Sequence, residues 1–204
     1  MRAQATRSSG RTSATLAAVG KLYDTLDDEL VEFIKRQHLF FVATAPLAGD
    51  GFVNLSPKGY DTLRVLGPRT VGYLDFVGSG VETIAHAREN GRVVLLFCAF
   101  EGPPRILRIH GRAEAFEPDD PDFPALREHF GPPRPGERAI VRIEATRIAT
   151  SCGYSVPLYE YVGERPQLTD WADRKGPEGL REYMDTRNAT SLDGLPGLAP
   201  RGAR

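Results

Sequence analysis

Between residue 24 and residue 150 the pattern of apolar positions switches repeatedly between a period of two and a period near 3.6. Asp27 to Gln37 is helical, with Leu30, Phe33 and Ile34 on one face and acids in its first turn. Leu39 to Ala45 reads as a buried strand. Phe52 to Ser56 is a second strand, stopped by Pro57. A short third strand covers Leu63 to Leu66, and a fourth covers Thr70 to Phe76.

Val81 to Asn90 then predicts one short helix, with Gly91 placed as its left-handed cap. Arg92 to Phe100 contains the run VVLLF, whose unbroken apolarity calls for cover on both faces. Arg105 to Phe116 alternates, with Leu107, Ile109, Gly111, Ala113 and Ala115 against Arg108, His110, Arg112 and Glu114. A helix containing Pro124 follows. Arg138 to Thr146 alternates again, and a last helix runs from Pro177 to Arg187 with Leu180, Tyr183 and Met184 inward. Six or seven strands with too few helices to cover a parallel sheet predict a mainly β fold, an antiparallel barrel with flanking helices.

Composition narrows the function classes. The 204 residues carry 26 Lys and Arg against 27 Asp and Glu, a net charge of -1, which excludes a broad electrostatic footprint for nucleic acid or an anionic membrane. No apolar run is long enough to span a bilayer. Two cysteines fall short of a disulfide framework and suit a reducing cytoplasm. Residues 1–23, rich in Arg, Ser and Thr and free of acids until Asp24, read as a floppy tail rather than a transit peptide. The expected organisation is a barrel domain over 24–150, an extension over 151–195 that packs on the barrel or on a partner, and a tail over 196–204.

Three places could carry chemistry. Gly78-Ser79-Gly80 leads a strand straight into a helix, so its amides and the Thr83 hydroxyl could receive a phosphate. The same residues also form a capping box, Ser79-x-x-Glu82, in which the amides are satisfied internally and the Glu82 carboxylate repels an anion. Lys58, beside Pro57 and Gly59 at a strand end, could reach a phosphate or an anionic ring oxygen, or stand as a solvated surface lysine. Arg105 falls on the apolar face of its strand by parity. It requires a buried acid or an anionic ligand there, unless the strand starts one residue later and Arg105 is loop. His38, His86, His110 and His129 show no metal-ligand spacing; His86 and His110 fall on polar faces. Cys152 reads as a small buried residue and Trp171 as a packing anchor.

The stretches FFVATA, VNLSPKGYD, GYLDFVGSG, ETIAHARENGRVVLLF and PPRILRIHGRAE follow in that order. Over roughly residues 30 to 150 the chain thereby resembles the pyridoxamine 5'-phosphate oxidase-related family of FMN-binding split β-barrels. The resemblance implies a homodimer with FMN in clefts at the subunit interface. It places Lys58, in KGYD, near flavin and substrate. It assigns further flavin and phosphate contacts to Tyr73, Leu74, Asp75, Ser79 and Thr83, with Ser56 and Gly80 from the same strand end and turn, and it carries over Arg105.

The departures from the family are specific. Its Arg at the start of the second strand falls at Val53, the Gln after its Arg falls at Ile106, and its Arg-Lys pair opening the helix falls at Glu82-Thr83. Phosphate is therefore held differently and with less cationic charge, or FMN binds more weakly than is usual for the family, and the residues that grip pyridoxal phosphate have no match. The implied function is an FMN-dependent oxidoreductase that moves a hydride between a small organic substrate and the flavin, with no general acid identifiable. The alternatives are a non-catalytic flavin or haem binder on the same fold, or a deazaflavin-dependent reductase.

Overall fold

A computed structural model describes residues 20–199. The expected tails lie outside the described residues over 1–19 and 200–204. Strands and helices alternate along the chain as β1 (Leu22–Tyr23), α1 (Asp28–Lys35), β2 (Phe40–Thr44), β3 (Asn54–Lys58), β4 (Leu63–Val65), β5 (Thr70–Phe76) and α2 (Glu82–Glu89). They continue as β6 (Arg92–Cys98), β7 (Ile106–Phe116), α3 (Phe123–Arg127), β8 (Glu137–Ser151) and α4 (Gln167–Arg187). One sheet runs in the order β3-β2-β6-β7-β8-β5-β4, with β1 added to β8. Every ladder is antiparallel.

The sheet curls until its far ends approach, because Lys58 on β3 and Asp75 on β5 are bonded side chain to side chain. No ladder joins β3 to β4 or β5, so the two edges meet through side chains and the barrel is split along that seam. The concave face is filled by Phe40, Val42, Val71, Tyr73, Leu95, Phe97, Leu107, Ile109, Ile143 and Ile148. Helix α1 plugs it with Leu30, Phe33 and Ile34, and Asp27 caps that helix by accepting from Leu30 N at 2.9 Å. A second cluster joins Val81, at the cap of α2, and Ile84 within it to Ala172, Leu180 and Met184 of α4. Trp171 packs edge-on against Tyr183 beside it.

Several elements differ from the sequence expectation, each for a local reason. Strand β3 passes through Pro57 to Lys58, because a sheet-edge strand tolerates a missing N–H. Strand β8 extends to Ser151 and pairs in turn with β5, β7 and β1. Leu22–Tyr23, read as tail, form β1. Helix α4 begins ten residues before Pro177 and kinks at Gly176, where φ is 65°. Strand β7 starts at Ile106, so Arg105 precedes it. Cys152, expected inside, is exposed, while His86, expected on a polar face, is fully buried. The VVLLF run is covered on one face only: Val93, Leu95 and Phe97 are buried, whereas Val94 and Leu96 are half-exposed.

Candidate functional site

The seam is where the polar residues of the barrel interior collect. Register puts Asn54, Ser56 and Lys58 of β3 opposite Thr44, Val42 and Phe40 of β2, so all three face inward along an edge whose backbone has no neighbour beyond it. Tyr73 and Asp75 of β5 face them. Lys58 Nζ donates to Asp75 Oδ1 at 2.6 Å, and Arg138 Nε donates to Asp75 Oδ2 at 2.8 Å. Asp75 is wholly buried, and Arg138 is 4% exposed. Burial alone would raise the Asp75 carboxyl; the charges of Arg138 and then Lys58 outweigh it and hold the carboxyl at about 2.

Arg138 reaches Asp75 through a β-bulge. The β5–β8 register passes from Asp75↔Ala139 to Phe76↔Glu137, leaving Arg138 as the extra residue, and bulges of this kind redirect a side chain. Its Nη1 donates to Asn188 Oδ1 at 2.9 Å, and Asn188 Nδ2 donates in turn to Gly78 O at 3.0 Å. The segment after α4 is thereby tied to the turn ahead of α2.

A second arm of the network starts at Ser56, whose hydroxyl donates to Asn54 Oδ1 at 2.9 Å. Asn54 Nδ2 donates to Thr44 Oγ1 and Thr83 Oγ1, both at 3.0 Å. Thr44 Oγ1 lies 2.9 Å from His86 Nδ1. The direction of that bond follows the imidazole tautomer, and Nε2 has no hydrogen bond, standing 3.8 Å from Asp193 Oδ2. The Tyr73 hydroxyl is also buried and has no hydrogen bond of ordinary geometry, although Thr83 lies beside it. Burial and the neighbouring Asp75 charge push that phenol well above its usual range.

Directly after Lys58 the chain turns sharply. Tyr60 and Asp61 both hold left-handed conformations, with φ of 63° and 50°, a strained state for non-glycine residues. Tyr60 is clamped by bonds from its amide to Glu164 Oε1 at 3.2 Å and from its hydroxyl to Arg165 O, while Arg134 Nη1 donates to its carbonyl at 2.8 Å. Arg64 forks onto both oxygens of Asp61 at 2.9 and 3.0 Å. Beside this turn, a cleft of about 480 Å³ opens into the barrel between α1 and β4, walled by Ile34, Phe40, Leu63 and Phe97. It reaches Gly59 and Phe40, the chain neighbour and the cross-strand partner of Lys58.

Of the nine residues singled out from sequence, Ser56, Lys58, Tyr73, Asp75 and Thr83 converge at the seam. Leu74 turns to the opposite face and packs with Phe130 and Ile140, so only its backbone faces the seam. Ser79 is exposed, and no capping box forms: Val81 occupies the cap of α2 without a side-chain bond. The Glu82 carboxylate instead folds over Gly80 and accepts from Leu192 N at 3.3 Å. Arg105 stands apart, paired with Glu29 Oε1 at 2.6 Å and lying over the Phe33 ring. Asn54, Thr44, Arg138, Asn188 and His86 belong to the network without having been singled out. His86 and Arg138 carried no usable signal, since one follows from how α2 docks and the other from a bulge.

The sequence profile of the family described as pyridoxamine 5'-phosphate oxidase matches residues 26–152. A pyridoxamine 5'-phosphate oxidase family protein, ustO, of Aspergillus flavus is 38% identical over 192 residues, covering 86% of this chain and 77% of its own. This chain belongs to the pyridoxamine 5'-phosphate oxidase family. Among solved structures, HupZ from Group A Streptococcus is 24% identical with a TM-score of 0.47, over 60% of this chain and 90% of its own. The FAD binding protein from Mycobacterium smegmatis is 17% identical with a TM-score of 0.45, over 64% of this chain and 95% of its own. No helix among the described residues is long and apolar enough to cross a membrane. No group of three or more His, Cys, Asp or Glu among them could hold a metal ion.

A flavin can be tested against this seam in two parts. Its ring needs an apolar slot with a few convergent donors; the cleft supplies apolar walls, and Lys58 stands at the seam next to Gly59 and Phe40 of that cleft, whereas the Tyr73 hydroxyl is enclosed in the core. Its phosphate needs cationic charge. The α2 turn does not provide it, because Glu82 lies over that turn and Arg138, tied to it through Asn188, is committed to Asp75.

Proposed function

We propose that this chain is a homodimeric FMN-dependent oxidoreductase acting on a small organic substrate. The reading rests on one observation above the rest: a lysine fixed at 2.6 Å by a fully buried carboxylate, at the gap between the sheet's two edges. An ammonium has three donors, and Asp75 uses one. The other two, on a side chain 22% exposed, are available to a ring oxygen at the seam.

When bound, FMN supplies the hydride chemistry at its ring. The protein's part is positioning. Lys58 is immobilised by Asp75, so its cation is already in place when negative charge develops on a bound ring. Arg138 keeps Asp75 ionised, and Asn188 keeps Arg138 in line. The strained Tyr60–Asp61 turn, held by Glu164, Arg165 and Arg134, fixes where β3 ends and hence where Lys58 stands. Phe40, Leu63 and Phe97 keep water from the slot.

The second subunit is argued from the convex face. Phe41, Ala43, Val94 and Leu96 form a half-exposed apolar strip there, continued by Leu55 and Val53, which are 63% and 75% exposed. Tyr154, Leu158, Tyr159 and Val162 in the segment before α4 are also exposed. A second copy on this face covers the side of VVLLF that the single chain leaves open. A reducing cytoplasm suits the two free thiols, Cys98 and Cys152.

Titration of the cofactor-free protein with FMN, followed by flavin fluorescence, tests the reading. Saturable binding that weakens by about tenfold or more in Lys58→Met, the loss of one charged hydrogen bond, supports it. Absence of flavin binding in the wild-type chain overturns it.

A further inference from the structure

The convex face carries an unusual arrangement of like charges. Strand register sets His110 directly opposite Arg147 and Arg92 directly opposite Arg112. Like charges in facing positions destabilise a sheet unless something neutralises them. Arg108 stands two positions from His110 on the same face, beside Leu96. Arg108 donates to Ser151 Oγ at 2.9 Å, Arg112 to Asn90 O, and Arg92 to Asn90 Oδ1 and Pro46 O. These are neutral acceptors, and the Arg147 side chain, exposed, makes no hydrogen bond or ion pair with the described residues. Burial, Arg147 and Arg108 all hold the His110 pKa below its usual value. Strands β2, β3 and β6 present no acid to this face; Glu144, opposite Arg112 and bonded to Thr70, and Glu114, two positions along β7 and paired with Arg142, are the carboxylates at its end.

The surface is also concave. A depression of about 600 Å³ is floored by Ala43, Val94 and Gly111 and walled by Arg92, His110 and Arg112. A bulge between His110 and Gly111 leaves Thr146 as the extra residue on β8 and bends the sheet there.

We propose that Arg108 and Arg147, with His110 between them and Arg92 and Arg112 at their end, bind the phosphate of a phosphorylated ligand, the arginines supplying the positive charge that the α2 turn lacks. Naming FMN as that ligand rests on the flavin reading above; the anion site itself does not. Two-fold docking through the apolar strip of β2 and β6 explains how one ligand can use both regions. In an isologous interface the patch on one side of the axis meets the patch on the other. The β3 edge and its seam lie on one flank of the strip, and the basic stripe of β7 and β8 lies on the other. With the two-fold axis running along the strands of that strip, the seam of one copy faces the stripe of its partner, which holds the phosphate of a ring bound at that seam.

The experiment compares FMN with riboflavin, which shares the ring and lacks the phosphate, on the full chain and on Arg147→Gln and His110→Gln/Arg147→Gln. Arg147 is exposed and outside the core, and unchanged riboflavin binding confirms that each variant folds. Expected is an FMN affinity at least about tenfold above that for riboflavin, a preference each variant erodes by about tenfold or more through FMN alone. Equal affinity of the wild-type chain for both flavins, or variants that bind FMN as the wild type does, overturns the phosphate site and leaves the flavin reading standing. If neither flavin binds, the flavin reading falls. Inorganic pyrophosphate then judges the stripe: a thermal shift in the wild type that the double variant loses supports it, and no shift overturns it.

Discussion

Lys58 Nζ stands 2.6 Å from Asp75 Oδ1, across the one gap in the sheet that no backbone ladder closes. The barrel is completed by an ion pair where another barrel would use a strand pair. Arg138, on the far oxygen of the same carboxylate, makes this a buried group of two cations and one anion. Such a group is stable only while the anion is present.

Replacing Asp75 by Asn leaves Lys58 and Arg138 facing each other without a counter-charge. The expected loss is about 3–5 kcal/mol of folding stability, measured by urea denaturation near neutral pH. A loss under about 1 kcal/mol would show that the seam is not held by this group.

The same carboxyl sets an acid limit. Its folded value of about 2 lies below the ordinary 3.8, so ionised Asp75 contributes stability that is complete above 3.8 and fades as pH falls through about 2. Roughly 2 kcal/mol disappears across that window. The stability of wild type minus that of Asp75→Asn, followed over the same pH range, should shrink toward acid; a constant difference contradicts this.

Tyr73→Phe removes a buried hydroxyl that has no hydrogen bond of ordinary geometry. The cofactor-free variant should be as stable as the wild type or more stable by about 1 kcal/mol, since a desolvated, unpaired group is a cost. A loss of more than about 1 kcal/mol in denaturation would mean that Thr83 makes a full bond to it.

Gly111→Ala tests the bulge beneath the basic stripe. A Cβ there would lie 2.5 Å from Glu144 O and 2.6 Å from the Ile143 methyl group, contacts with backbone and core that cannot move aside cheaply. The expected cost is about 1–3 kcal/mol by thermal or chemical denaturation. A neutral substitution would show that β7 and β8 separate more easily than their pairing suggests.

The strands and most helices could be read from periodicity, since Leu107, Ile109 and Ala113 on β7 and Leu30, Phe33 and Ile34 on α1 declare their buried faces directly. Alternation failed where the register breaks. Arg138 sits two residues before Ile140 in an alternating run, and only a bulge opposite Asp75 and Phe76 turns it inward. Pro57 misled for the opposite reason: it forbids a central strand, and β3 turns out to be an edge. Lys58, Asp75 and Tyr73 could be picked out through the family resemblance, but that Asp75 occupies Lys58 is a matter of two strands far apart in sequence. Ser79 and Glu82 had the spacing of a capping box; the segment around Leu192 draws Glu82 away, which no local pattern reveals.

The most direct test of the account is sedimentation of the full chain with FMN, followed at once in the protein band and in the flavin band. The account predicts that flavin absorbance travels with a single species of twice the chain mass, one flavin for each chain. Flavin that sediments free of the protein, or protein that remains a single chain when saturated with flavin, would contradict it.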